Sequence, residues 1–105
     1  MSIKTACLTS VIALTAGSAM AEMSFNRIAS FATNLNSPDA EETSAEIIDV
    51  TDDGMTLVYT DSPAGVVGMI DITDAANPQP MGEMALDGEP TAVAISGTIA
   101  YVGVN

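Results

Sequence analysis

Two hairpin-like stretches of this chain repeat one another at a fixed distance, and few folds accept such a repeat. Asp52-Asp53-Gly54 separates strand-like runs at 46–51 and 55–61, and Gly97-Thr98 separates runs at 91–96 and 99–104. Superposing Gly54 on Gly97 places Val50 on Val93 and Leu57-Val58-Tyr59-Thr60 on Ala100-Tyr101-Val102-Gly103, an offset of 43 residues (97 less 54). Between the hairpins, Pro63-Ala64-Gly65 turns the chain into a third run at 66–73, and a fourth follows at 81–86. Four short strands in about 40–45 residues is the period of a propeller blade. A β-sandwich is the other all-β arrangement these hairpins allow. Residues 74–80 are expected to lie outside the ladder, because Pro78 and Pro80 lack the N–H donor and restrict the residues before them.

The side-chain pattern favours strands covered on both sides. In the third run Val66, Gly68, Ile70 and Ile72 share one face, and Val67, Met69 and Asp71 share the other; in the last run both faces are apolar or small. A sheet with one wet side alternates more cleanly. The expected fold is therefore all-β: a signal peptide at 1–21, a leading segment and loop at 22–44, and at 45–105 about one and a half blades of a β-propeller. In this reading the chain is the N-terminal fragment of a longer protein, because the apolar strand at 99–104 reaches Asn105 without a turn or polar tail. The remaining blades are then its first partners. Phe25, Ile28 and Phe31 also fit a short helix, but a short strand or turn followed by a loop is the reading adopted for 22–44.

Residues 1–21 carry Lys4, an apolar stretch from 6 to 16 and Ala19-Met20-Ala21 ahead of Glu22, the pattern of a secretory signal cut between Ala21 and Glu22. The apolar stretch is shorter than the roughly 20 residues a membrane span needs, so no span is expected after cleavage and the protein is placed in the periplasm or outside the cell. Cys7 sits near the start of that stretch, not at its end, and reads as a small apolar residue of the signal. Loss of Lys4 takes the formal charge from −12 to −13 and leaves Arg27 as the one basic side chain. Binding to nucleic acid or to an anionic lipid surface requires cations this chain lacks.

After residue 21 there is no cysteine, and the chain has no histidine anywhere. Disulfides, thiol nucleophiles, Cys/His zinc sites and histidine-based triads are thereby excluded from this segment. What is left is carboxylate, hydroxyl and one guanidinium, a donor set suited to hard cations such as Ca²⁺. Asp49-Val50-Thr51-Asp52-Asp53-Gly54 spaces acid, hydroxyl, acid and glycine like the start of an EF-hand loop, which makes Asp49 and Asp53 metal candidates. The twelfth position, however, is Thr60 instead of glutamate, and the flanks are strand-like, so an acidic hairpin turn competes.

Glu46 and Glu89 each stand where a repeat begins, and propellers gather ligands from such positions around a central channel, so these two are the other metal candidates. The competing role for all of these acids is to cap turns or accept backbone N–H groups, and for Asp61, Asp71 and Asp74 at strand ends that role is expected. Ser44, Ser62 and Ser96 lack a Gly-x-Ser-x-Gly frame. Met55, Met69, Met81 and Met84 read as core filler. No catalytic residue is assigned.

The run Glu42-Thr43-Ser44-Ala45-Glu46-Ile47-Ile48 with Asp53-Gly54-Met55-Thr56-Leu57-Val58-Tyr59-Thr60-Asp61-Ser62-Pro63 resembles the opening of secreted bacterial phytase-like, or esterase-like, β-propellers. Val67-Gly68-Met69-Ile70-Asp71-Ile72-Thr73-Asp74, Pro78, Pro80, Gly82 and Leu86-Asp87-Gly88-Glu89-Pro90-Thr91 extend the resemblance over most of 25–105. Such proteins are often labelled alkaline phosphatases and are similar to LVIVD-repeat and choice-of-anchor propellers. The resemblance implies a multi-bladed exported propeller, with calcium-dependent hydrolysis of phosphoesters in the full-length protein and none in this segment alone. A non-catalytic propeller that binds partners or scaffolds the cell envelope is the alternative.

Overall fold

The computed structural model describes residues 23–105. The signal sequence and its cleavage point lie outside them. Among the described residues no helix is long and apolar enough to cross a membrane.

The described residues are all-β, with six strands: β1 (Ala45–Val50), β2 (Thr56–Asp61), β3 (Val66–Asp71), β4 (Gln79–Ala85), β5 (Pro90–Ser96) and β6 (Ile99–Val104). The first four form an antiparallel meander in the order β1-β2-β3-β4, and β5 and β6 form a separate two-stranded sheet. Gly54 and Gly97 turn the two hairpins at φ values of 72° and 61°, a region costly for residues with a Cβ. Residues 23–32 form neither helix nor strand, and Thr33–Leu35 makes one 3₁₀ turn before a loop.

One sequence expectation fails at β4. The strand begins at Gln79 and includes Pro80, which lies opposite Ile70. The ladder tolerates this proline because β4 is the edge of its sheet and the register shifts beside it, between Met69 and Ile70. Met81 is the extra residue of that bulge, and Gly82 supplies its positive φ of 100°.

Register assigns the faces. Val58 stands opposite Asp49 and Met69, and Val67 opposite Met84, so Asp49, Val58, Thr60, Val67, Met69 and Met84 share one face of the four-stranded sheet. The second sheet lies against this face. Val93 joins Val58 and Val67 in the buried core, with Met69, Leu86, Ile95 and Val102 packed around them. Each buried valine stabilises the joint by about 1.5–3 kcal/mol relative to exposure.

Part of the opposite face is covered by the leading segment. Tyr59 is fully buried there, its ring lying over Gly68 on the neighbouring strand, where an added Cβ would overlap it. Asn36, 5% exposed, fills the gap that the β3–β4 bulge opens. Its side-chain N–H groups donate to Tyr59 Oη (3.0 Å) and to the Met69 carbonyl (2.9 Å), and its Oδ1 accepts from Gly82 N–H (2.9 Å). The side-chain amide thus replaces a ladder pair that the extra residue has pulled apart. Beside it the buried Ser37 hydroxyl donates to the Glu83 carboxylate.

Candidate functional site

The strands β1 and β5 begin at the same end of the two sheets, and this brings Glu46 and Glu89 to one cleft of roughly 640 Å³. Glu42 from the leading segment joins them, with Ser62 and Gly65 from the β2–β3 turn and Gly88 ahead of β5. The Ser62 hydroxyl lies 2.8 Å from Glu46 Oε2 and 3.0 Å from the Pro90 carbonyl, so its single proton is shared between the two sheets. Glu89 is fixed through its backbone: its N–H and carbonyl pair with Asn105 (3.3 and 2.9 Å) and prolong the β5–β6 ladder.

The other candidates are not in this cleft. Asp49 lies on the inner face of β1. Its Oδ2 accepts from Ile95 N–H at 2.7 Å and its Oδ1 from Val50 N–H at 2.8 Å, so one carboxylate ties the second sheet to the first. The Ile95 bond, with a smaller effect from Val50, holds the Asp49 carboxyl below the usual aspartate range. Asp53 sits in the hairpin turn, where its Oδ1 accepts from the Thr51 hydroxyl (2.6 Å) and Met55 N–H (2.9 Å), and these bonds lower its pKa in that order. Asp71 likewise accepts from Thr73 N–H at 2.9 Å, and Asp74 from Ala76 N–H at 3.2 Å. Asp61 is fully buried at the start of the β2–β3 turn, with Oδ1 accepting from Ala64 N–H at 3.1 Å.

Calcium takes six to eight oxygens. Both Asp49 oxygens and Asp53 Oδ1 accept hydrogen bonds from the protein, and among the described residues no group of three or more His, Cys, Asp or Glu is placed to hold a metal ion. Among the described residues the cleft is lined by carboxylates and no basic side chain, an arrangement that repels a phosphate and offers no group to stabilise charge on a transferring phosphoryl. Sequence reasoning singled out Glu46 and Glu89 but missed their neighbours Glu42 and Ser62, and gave Asn36 and Ser37 no role beyond the loop within 22–44. For the last two no signal in the local sequence points inward.

The Asp49 tie has a testable pH dependence. Because its folded pKa is depressed, its stabilising contribution is complete above the unfolded value, near 3.9, and is lost as pH falls through the folded value. Asp53 and Asp71 are lowered in the same direction, so a local readout is needed. Hydrogen exchange at the Ile95 amide should speed up, relative to its intrinsic rate, as pH falls below about 4. Asp49→Ala should remove that acid dependence and leave Ile95 less protected at neutral pH. Equal protection in both proteins at neutral pH would show that the bond does not form in solution.

Compared with family models, with curated proteins and with solved structures, the chain matches none.

Proposed function

We propose that the chain is the first blade and the start of the second in an exported, phytase-like β-propeller, and that phosphoester hydrolysis belongs to the longer protein and not to these residues. The observation that carries the reading is the placement of β5 and β6. A four-stranded meander is followed, at an offset of 43 residues (97 less 54), by a like hairpin laid on its face, with Val93 packed against Val58 and Val67. Successive blades stack in that manner.

In this reading Glu46 and Glu89, at equivalent places in successive repeats, face a shared rim. Calcium and phosphate chemistry there requires further oxygen ligands and basic groups from other blades, since among the described residues the acids do not assemble a metal shell. The specific observation that favours the non-catalytic alternative is the commitment of Asp49, Asp53 and Asp71 to structural hydrogen bonds.

An assay with phytate and a chromogenic phosphate ester separates these readings. The 105-residue chain should show no turnover, with or without added Ca²⁺. A longer product carrying all blades should hydrolyse one of the two, and a chelator should abolish the activity. Turnover by the 105-residue chain would overturn the assignment. A folded but inert longer protein would transfer the proposal to a binding or scaffolding propeller.

A further inference from the structure

Aspartate followed by glycine is the dipeptide most prone to rearrange without an enzyme, because glycine has no Cβ to shield its amide nitrogen from the neighbouring carboxyl carbon. The chain holds two such pairs, Asp53-Gly54 and Asp87-Gly88. The structure treats them oppositely.

At Asp53-Gly54 both reacting groups are engaged. The Gly54 N–H donates to the Thr51 carbonyl at 2.8 Å, and Asp53 Oδ1 accepts from the Thr51 hydroxyl at 2.6 Å and from Met55 N–H at 2.9 Å. The Thr51 bond, with a smaller effect from Met55, also holds the Asp53 carboxyl below the usual aspartate range, so the protonated form, which loses water most readily, is scarce there. Asp87-Gly88 lies in the link from β4 to β5, the covalent connection between the two sheets. Asp87 is exposed in a bend, and among the described residues neither its carboxylate nor the Gly88 N–H has a hydrogen-bond partner. The residues on either side are tied: Leu86 N–H donates to the Gly65 carbonyl at 3.0 Å, and Glu89 pairs with Asn105.

We propose that Asp87-Gly88 is a site of spontaneous backbone modification, at which Asp87 becomes isoaspartate and loosens the joint between the two sheets. The Gly88 nitrogen attacks Asp87 Cγ; the new C–N bond forms, a Cγ–O bond breaks, and that oxygen leaves as water with the amide proton and the carboxyl proton. Water then adds to the main-chain carbonyl of the cyclic imide, and the bond from that carbon to the Gly88 nitrogen breaks. The main chain now runs through Cβ and Cγ of residue 87 and is longer by a carbon, while the former main-chain carbonyl is a free carboxylate. A water is lost and a water regained, so nothing besides solvent is consumed. The joint has no room for the added carbon. Gly88 lies so close to the Asn105 carbonyl oxygen and a Val104 methyl that even a Cβ placed on it would overlap them. Glu89 is therefore displaced from Asn105, and with that pairing goes the place of Glu89 in the cleft it shares with Glu46.

The test ages the full chain in buffer near neutral pH and, in parallel, in denaturing urea. Digestion after glutamate releases residues 84–105, in which Asp87 is the sole aspartate, and residues 47–83, which hold Asp53. Mass-spectrometric fragmentation that distinguishes isoaspartate from aspartate then reads each site. In buffer, isoaspartate should accumulate at Asp87 at least tenfold faster than at Asp53, and in urea the two rates should come within about threefold. Thr51→Val, which frees an Asp53 oxygen, should raise the rate at Asp53 at least threefold; should that variant fail to fold, the comparison of buffer with urea still decides. Hydrogen exchange at the Glu89 amide should be at least tenfold faster in the aged protein than in the fresh one. In Asp87→Glu, whose longer side chain closes the ring far more slowly, ageing should leave that exchange unchanged. Equal rates at the two sites in buffer, a faster rate at Asp53, or isoaspartate at Asp87 with no change at Glu89 overturns the proposal.

Discussion

Gly68→Ala is expected to cost about 3 kcal/mol, the upper part of the range for forcing volume into a packed site. The added methyl would occupy space held by the Tyr59 ring. That ring cannot withdraw, since it is fully buried and its hydroxyl is tied to Asn36. Small domains hold only a few kcal/mol in reserve, so the variant should be largely unfolded in water at room temperature. Denaturant titration followed by circular dichroism measures the loss. Tyr59→Leu in the same chain should make the alanine much better tolerated, because residues in contact do not act additively. A Gly68→Ala protein within about 0.5 kcal/mol of the parent would mean that the ring does not rest on this glycine.

Asn36→Ala is the second large effect. It leaves Tyr59 Oη, the Met69 carbonyl and Gly82 N–H without their partner at once. An unmade bond at a buried group costs about 1–3 kcal/mol, so a total of roughly 2–4 kcal/mol is expected, allowing for solvent entry at the bulge. Asn36→Asp should rescue little, because it keeps the acceptor for Gly82 but loses both donors. Tyr59 gives an independent readout. Burial raises its pKa above the ordinary value of 10.0, the bond from Asn36 lowers it, and Asp61 and Glu83 raise it further. Removing Asn36 should therefore move the Tyr59 titration to higher pH in the fraction that remains folded. A downward movement, or none, would show that the amide does not meet the phenol.

The strands were largely legible in the sequence, and the reason is local. Gly54, Gly65 and Gly97 occupy turns that need positive φ, and β-branched runs fall between them. Where β4 begins was not legible, because whether Pro80 can sit in a ladder depends on which edge of the sheet is free, a property of the assembled sheet. Asn36 illustrates the same limit more strongly. Its burial depends on a bulge 46 residues away at Gly82, and nothing adjacent to it differs from an ordinary polar loop. The 43-residue spacing singled out Glu46 and Glu89, and both line the cleft at one end of the sheets. It gave no warning that Asp49, spaced like a metal ligand, would instead receive an amide proton from β5.

That amide contact makes the two repeats non-interchangeable. Asp49 stands opposite Val58, and the position opposite the counterpart residue Tyr101 is held by Ala94, which has no acceptor to offer. The first repeat can therefore key its successor at a fixed height, since a slide by one strand residue would carry Ile95 N–H about 3.3 Å away from the carboxylate. The second repeat carries no such acceptor at the corresponding place. A gene duplication that copied the second hairpin into the place of the first would keep a glycine turn and two apolar strands but lose the carboxylate. It would therefore yield sheets free to shift along one another, and with them the spacing between the acids at their rim.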